Sequence, residues 1–138
     1  MPFDNWEICD QVCQNLFAHT PLAPAKALEW MRRSEEFVKR AGLVLVAVRA
    51  VHDKRAGDGP FADVIPTVLA AADDDRSYVR KGASWALRQI GKRSDRLRGH
   101  VLDMVSPCID SESRGLRWVA RDVTRELLES GSRKPPAG

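Results

Sequence analysis

Cysteine is scarce in this chain, three residues in 138, and aromatic side chains make up only 7% of it. So few cysteines, and an odd number of them, exclude a disulfide framework. Long apolar runs are missing as well: the longest, Ala41 to Val48 with Gly42 inside it, is eight residues, where a bilayer crossing needs about 20. No membrane partner is expected. No charged stretch followed by an apolar one opens the sequence, so no secretory leader is read, and a reducing cytoplasm is the expected compartment. Polar and apolar residues nowhere alternate long enough to make a strand, which excludes a sheet. Hydrophobic residues at 43% and charged ones at 30% predict one globular domain over 1–130, followed by a disordered tail over 131–138.

What is present is an uneven distribution of charge. The net charge is only +3, yet residues 76–100 carry eight basic side chains (Arg76, Arg80, Lys81, Arg88, Lys92, Arg93, Arg96, Arg98) against the single acid Asp95. Residues 1–36 hold three basic and six acidic side chains, 37–75 five and six, and 101–138 six of each. A basic block of this density points to an anionic partner.

Apolar residues recur with helical period, so the domain is expected to be all-α, with about seven helices. Asp4 reads as the N-cap of a first helix to about Ala18, and Thr20-Pro21-Leu22-Ala23-Pro24 breaks the chain before a short helix ending near Arg33. Ser34, with Glu35 and Glu36, caps a third to about His52. Pro60 suits the first turn of a fourth that runs to about Ala72 and must accommodate Pro66. Asp73-Asp74-Asp75 starts a fifth to about Lys92, Asp95 a sixth to about Val105, and Asp110 or Ser111 a seventh that stops before Gly131.

Phe37-Val38-Lys39-Arg40, Tyr78-Val79-Arg80-Lys81 and Leu116-Arg117-Trp118 each stand early in a long helix preceded by a shorter one, offset by 41 and 37 residues. That spacing is near the period of HEAT repeats, in which a helix pair buries its apolar face only by stacking on its neighbours. Pro66, Asp74 and Arg80, 8 and 6 residues apart, resemble the Pro/Asp/Arg pattern of such repeats. The expected fold is a HEAT-like α-α superhelix.

At about 100° per residue, Val79, Ala83, Ala86, Leu87 and Ile90 share one side of the fifth helix, with Lys81, Trp85, Arg88 and Lys92 opposite. One unit later Leu116, Val119, Ala120, Val123 and Leu127 face inward, with Arg114, Trp118, Arg121 and Arg125 opposite. Stacked repeats align equivalent helices, so the two outer sides are expected to join into one basic surface bearing tryptophans, suited to phosphates and to stacking. The alternative is that each tryptophan packs against the adjacent repeat and the cations are a solvated face. In the first helix Trp6, Asp10, Cys13 and Phe17 share one side, across from Ile8, Val12 and Leu16. Asp10 therefore stands on a mostly apolar side one turn from an indole, either desolvated and ready to stabilise a cation or bonded to a neighbouring helix end.

Cys9, Cys13 and His19 do not make the four-ligand set of a structural zinc site, and Cys108 offers no companion. His52 and His100 lack a paired carboxylate or nucleophile, and Gly57-Asp58-Gly59-Pro60 is a turn with no phosphate-binding lysine after it.

Asn5-Trp6-Glu7-Ile8-Cys9-Asp10, Glu36-Phe37-Val38-Lys39-Arg40-Ala41-Gly42, Ala50-Val51-His52-Asp53-Lys54 and the long block from Tyr78-Val79-Arg80-Lys81-Gly82 through Trp85 to Arg93 resemble the DNA alkylation repair family of HEAT-like glycosylases. The resemblance continues through Arg117-Trp118-Val119-Ala120-Arg121-Asp122 and spans residues 4–130. It implies excision of alkylated purines from duplex DNA with no metal or organic cofactor, and a monomer is expected. Trp6 and Asp10 match the family's Trp-x-x-x-Asp pair, Trp85 its second tryptophan, and Arg40, or Lys39, its backbone-holding base. Lys39, Arg40, Arg80, Lys81, Arg88, Lys92, Trp118, Arg121 and Arg125 are accordingly the candidate DNA contacts. Family members carry further helices before the Trp-Asp helix, which here begins at residue 4, so the resemblance implies a domain shortened at its N-terminus. A DNA-binding module without catalysis, and a protein-interaction scaffold of the same fold, are the competing readings.

Overall fold

The structure, a computed structural model, describes residues 23–53 and 56–133. Among them are six α-helices and no strand: α1 (Ala23–Met31), α2 (Glu36–His52), α3 (Asp58–Ala72), α4 (Ser77–Gly91), α5 (Asp95–Val105) and α6 (Arg114–Arg133), with a 3-10 turn at Ser106–Cys108. The all-α expectation holds, and the helix expected over Asp4 to Ala18 lies outside the described residues. Helices α2, α4 and α6 pack side by side in one layer, while α1, α3 and α5 lie against them in the other. This is the two-layer, solenoid-like stacking that the repeat spacing predicts.

Burial follows the helical period. Val79, Ala83, Ala86, Leu87 and Ile90 of α4 are fully buried, as are Val119, Ala120, Val123 and Leu127 of α6. Leu116 is only half-buried at the edge of this core. The run Ala41 to Val48 is buried on every side, because α2 is flanked by both α1 and α4. Close approach needs glycine at two points. A Cβ on Gly42 would stand 2.7 Å from the Met31 amide nitrogen, and one on Gly115 2.3 Å from the Asp74 carbonyl oxygen. Pro66 sits inside α3 on an exposed position, so the carbonyl it strands one turn earlier lies on the solvent side.

Helix starts depart from the sequence expectation at three places, each for a local reason. Helix α2 begins at Glu36 with no side-chain cap, since the Ser34 hydroxyl donates to Glu35 Oε1. Asp73 to Asp75 form the turn before α4, not its first residues: Asp74 Oδ1 accepts from the Arg76 amide at 2.9 Å, which holds the chain extended until Ser77. For α6 neither Asp110 nor Ser111 is the cap. Ser113 Oγ accepts from the Leu116 amide at 3.2 Å, and the helix continues through Gly131 to Arg133. At α5 the cap is Ser94, whose hydroxyl accepts from the Leu97 amide and donates to Asp58 Oδ2 at 3.0 Å, joining the starts of α3 and α5.

Arg93, just past α4, closes the other end of the helices. Its guanidinium donates to the carbonyls of Ala50 at 2.8 Å, Asp53 at 2.7 Å and Ala56 at 2.8 Å, and lies over the Phe61 ring, 4.0 Å from the centroid. It satisfies carbonyls left open where α2 ends.

Candidate nucleic-acid interface

The outer sides of α4 and α6 do meet, and their seam is built from contacts between the two helices. Lys81 is exposed, Trp85 is half-buried against the core, and Arg88 and Lys92 follow on the next two turns. Across the seam Arg114, Arg121 and Arg125 are exposed and Trp118 is half-buried. The Arg80 guanidinium covers the Trp118 ring at 5.2 Å from its centroid, and Arg80 Nε is buried with no hydrogen-bond partner.

The surface is not the bare basic one expected, because α6 supplies carboxylates to it. Asp122 accepts from the buried Ser84 hydroxyl, stands 3.8 Å from Arg88 Nε, and pairs with Arg125 at 2.6 Å. Lys92 Nζ lies 3.1 Å from Glu126 Oε1, and this ammonium group holds the Glu126 carboxyl below its ordinary range. Arg121, by contrast, is exposed and has no ion pair among the described residues. Arg125 is 68% exposed despite its pair, so it too can turn toward a ligand.

The two bases at the start of α2 have different surroundings. Lys39 Nζ pairs with Asp74 Oδ2 at 3.1 Å, and both side chains are withdrawn from solvent, at 14% and 9% exposure. The Arg76 guanidinium, bonded to the same carboxylate at 2.7 Å, and then Lys39 hold Asp74 far below the carboxylate range. Arg40 instead donates from a terminal nitrogen to the Tyr78 carbonyl at 2.8 Å and reaches over the Tyr78 ring. Of the two matches to a backbone-holding base, Lys39 is thus engaged inside the fold, and Arg40 stands at the seam between α2 and α4.

Trp6 and Asp10 lie outside the described residues, as do Cys9, Cys13 and His19. Among the described residues no three His, Cys, Asp or Glu side chains are grouped to hold a metal ion, and no helix is long and apolar enough to cross a membrane. An apolar groove of about 220 Å³ between α1, α2 and α3, lined by Leu28, Leu45, Phe61 and Val64 among others, shares no residue with the α4–α6 seam.

Sequence reasoning missed Tyr78, Asp122 and Glu126. The signal for the acids was present: Trp118, Asp122 and Glu126 recur every four residues, which puts both carboxylates on the tryptophan's own stripe. Tyr78 likewise precedes Trp85 by seven residues, two turns along one side.

A stack of helix pairs, with cations and aromatic rings gathered along the seams of one layer, defines a helical-repeat protein. Residues 2–104 match the family described as DNA alkylation repair enzyme, and the chain belongs to that family. The matched residues take in α1 to α4 and nearly all of α5, and they end before α6. No curated protein and no solved structure matches the chain.

Proposed function

We propose that this protein is a DNA glycosylase that releases N3- or N7-alkylated purines from duplex DNA, acting as a cytoplasmic monomer without metal or organic cofactor. Membership in the DNA alkylation repair family is the observation that carries the reading, and the cationic seam beside Trp85 supports it. Alkylation at N3 or N7 makes the purine a cation, so its glycosidic bond breaks with the electron pair leaving on a neutral base. The sugar becomes oxocarbenium-like, water adds at C1′, and the water's proton is lost to solvent. The Asp10 carboxylate stabilises the growing positive charge electrostatically, and the indole faces of Trp6 and Trp85 add cation-π attraction. Arg40, Lys81, Arg121 and Arg125 hold the phosphate backbone, with Arg88 and Lys92 joining as they exchange carboxylates for phosphates.

The test is release of N3- or N7-methylpurine from alkylated duplex by wild type and by Asp10→Asn. The variant keeps size and hydrogen bonding but loses the charge, so it is expected to fold and bind DNA while base release falls by two or more orders of magnitude. Equal release by both proteins overturns the mechanism. Release by neither, with DNA binding retained in both, makes the protein a binding module without catalysis, and absence of salt-dependent DNA binding makes it a protein scaffold.

A further inference from the structure

Tyr78 is one of two large apolar side chains exposed among the described residues, at 45%, and it sits in the first turn of α4 on the stripe that continues to Lys81 and Trp85. Two cations share its ring: Arg40, from α2, at 5.9 Å and Lys81, from α4, at 5.8 Å from the centroid. Lys81 has no carboxylate partner among the described residues. Arg40 is already anchored, since it donates to the Tyr78 carbonyl, so a ligand meeting it there loses little side-chain freedom on binding. Gly82 keeps the place open: a Cβ there would stand 3.3 Å from an Arg40 terminal nitrogen.

We infer that Tyr78 is a DNA backbone contact, its phenol donating to a phosphodiester oxygen whose charge is met by Arg40 and Lys81. This rests on the DNA-binding reading above and adds a neutral donor to the two cations, Arg40 and Lys81, that the reading already places on the backbone. A phosphodiester fits because it is a single negative charge with two acceptor oxygens, enough for a neutral donor and the cations beside it.

The probe is a fluorescently labelled duplex oligonucleotide, titrated at several salt concentrations. Tyr78→Phe keeps the ring and both cation contacts, so its Tm is expected to match wild type. Its affinity for duplex should fall about tenfold, as for loss of a hydrogen bond to a charged acceptor, with the salt slope unchanged because the phenol is neutral. Lys81→Ala is expected to flatten the slope by about one, and the double variant should lose less than the two single losses combined, since both act on one phosphate. Wild-type protein that does not bind duplex overturns the DNA reading and this assignment with it. Duplex binding that Arg121→Ala weakens but Tyr78→Phe leaves unchanged overturns this assignment alone, as does an acidic peptide that competes as strongly as duplex. Should Tyr78→Phe lower the Tm, the Lys81→Ala slope and its coupling to Tyr78→Phe still decide.

Discussion

Arg80 on α4 lays its guanidinium over the ring of Trp118 on α6, and one unit earlier Arg40 on α2 does the same to Tyr78 on α4. In both pairs the arginine precedes its aromatic partner by 38 residues, the separation that also joins Ser84 to Asp122. A cation-π contact at a partly exposed site contributes only about 0.5–1 kcal/mol. Its larger effect is to set the register in which one long helix stacks on the next. Equivalent members of the two pairs, Arg40 and Arg80 or Tyr78 and Trp118, stand 40 residues apart, between the offsets of 41 and 37 read from the chain.

Trp118 is covered by Arg80 and packs against the core, so its first role is structural. Trp118→Ala is expected to cost about 2 kcal/mol, less than a fully buried tryptophan would, and to lower the Tm by several degrees. Thermal unfolding followed by circular dichroism checks this. An unchanged Tm with weakened DNA binding would make the ring a DNA-stacking platform instead.

Arg121 and Arg88 should differ as DNA contacts. Arg121→Ala removes an exposed cation without an ion pair among the described residues and should flatten the plot of log Kd against log salt by about one. Arg88→Ala removes a cation already close to Asp122, so its effect on the slope should be smaller. Equal slopes for the two variants would show that the Asp122 pairing does not persist in solution.

Asp74 joins the start of α2 to the turn before α4 through Lys39 and Arg76. Its carboxyl titrates lower in the folded chain than in the unfolded one, where the value is about 3.9. Folding therefore gains from the ionised form at all pH values above the unfolded value and loses that gain as pH falls through the folded one. Asp74→Asn should cost about 2 kcal/mol at pH 7, and its stability should converge on that of wild type in strong acid. Urea unfolding at pH 7, 4 and 2.5 measures the gap, and a gap that stays constant would remove the carboxylate from the account.

At Gly115 the helix backbone of α6 meets the carbonyls of Ala72 and Asp74 with no room for a methyl group. Alanine has the better helix propensity by about 1 kcal/mol, yet Gly115→Ala should destabilise by about 1–3 kcal/mol because backbone atoms, unlike a flexible side chain, cannot yield. Gly99→Ala, where nothing lies within 4 Å, is the control and should be neutral or stabilising. Both are read from chemical denaturation midpoints.

The buried stripes were legible because they follow from period alone: Val79, Ala83, Leu87 and Ile90 are three or four residues apart, and all are buried. The layering was legible from the recurrence of similar helix starts at offsets of 41 and 37 residues, although α3 and α4 turn out equally long at 15 residues each. The pairing of Arg88 with Asp122 and of Lys92 with Glu126 was not, since each joins residues 34 apart and depends on the register between helices. Helix starts failed for a related reason. Asp74 carries a good helix-capping side chain, but Lys39 and the Arg76 side chain, as well as the Arg76 amide, compete for it, and a local pattern does not register a partner 35 positions away. For the chemistry, Asp10 and Trp6 rest on the family resemblance and their spacing.

The grip of Arg93 on Ala50, Asp53 and Ala56 bears on how the molecule comes apart. A stack held only by neighbouring faces can fray from its ends, one helix pair at a time. Here a side chain that follows the second long helix holds the end of the first and the segment beyond it, and its flat face lies on Phe61 of α3. Peeling α2 away would strand three carbonyls and a guanidinium at once. The α1–α2 and α3–α4 pairs are therefore expected to open as one cooperative block, their slowest-exchanging amides sharing a single opening free energy.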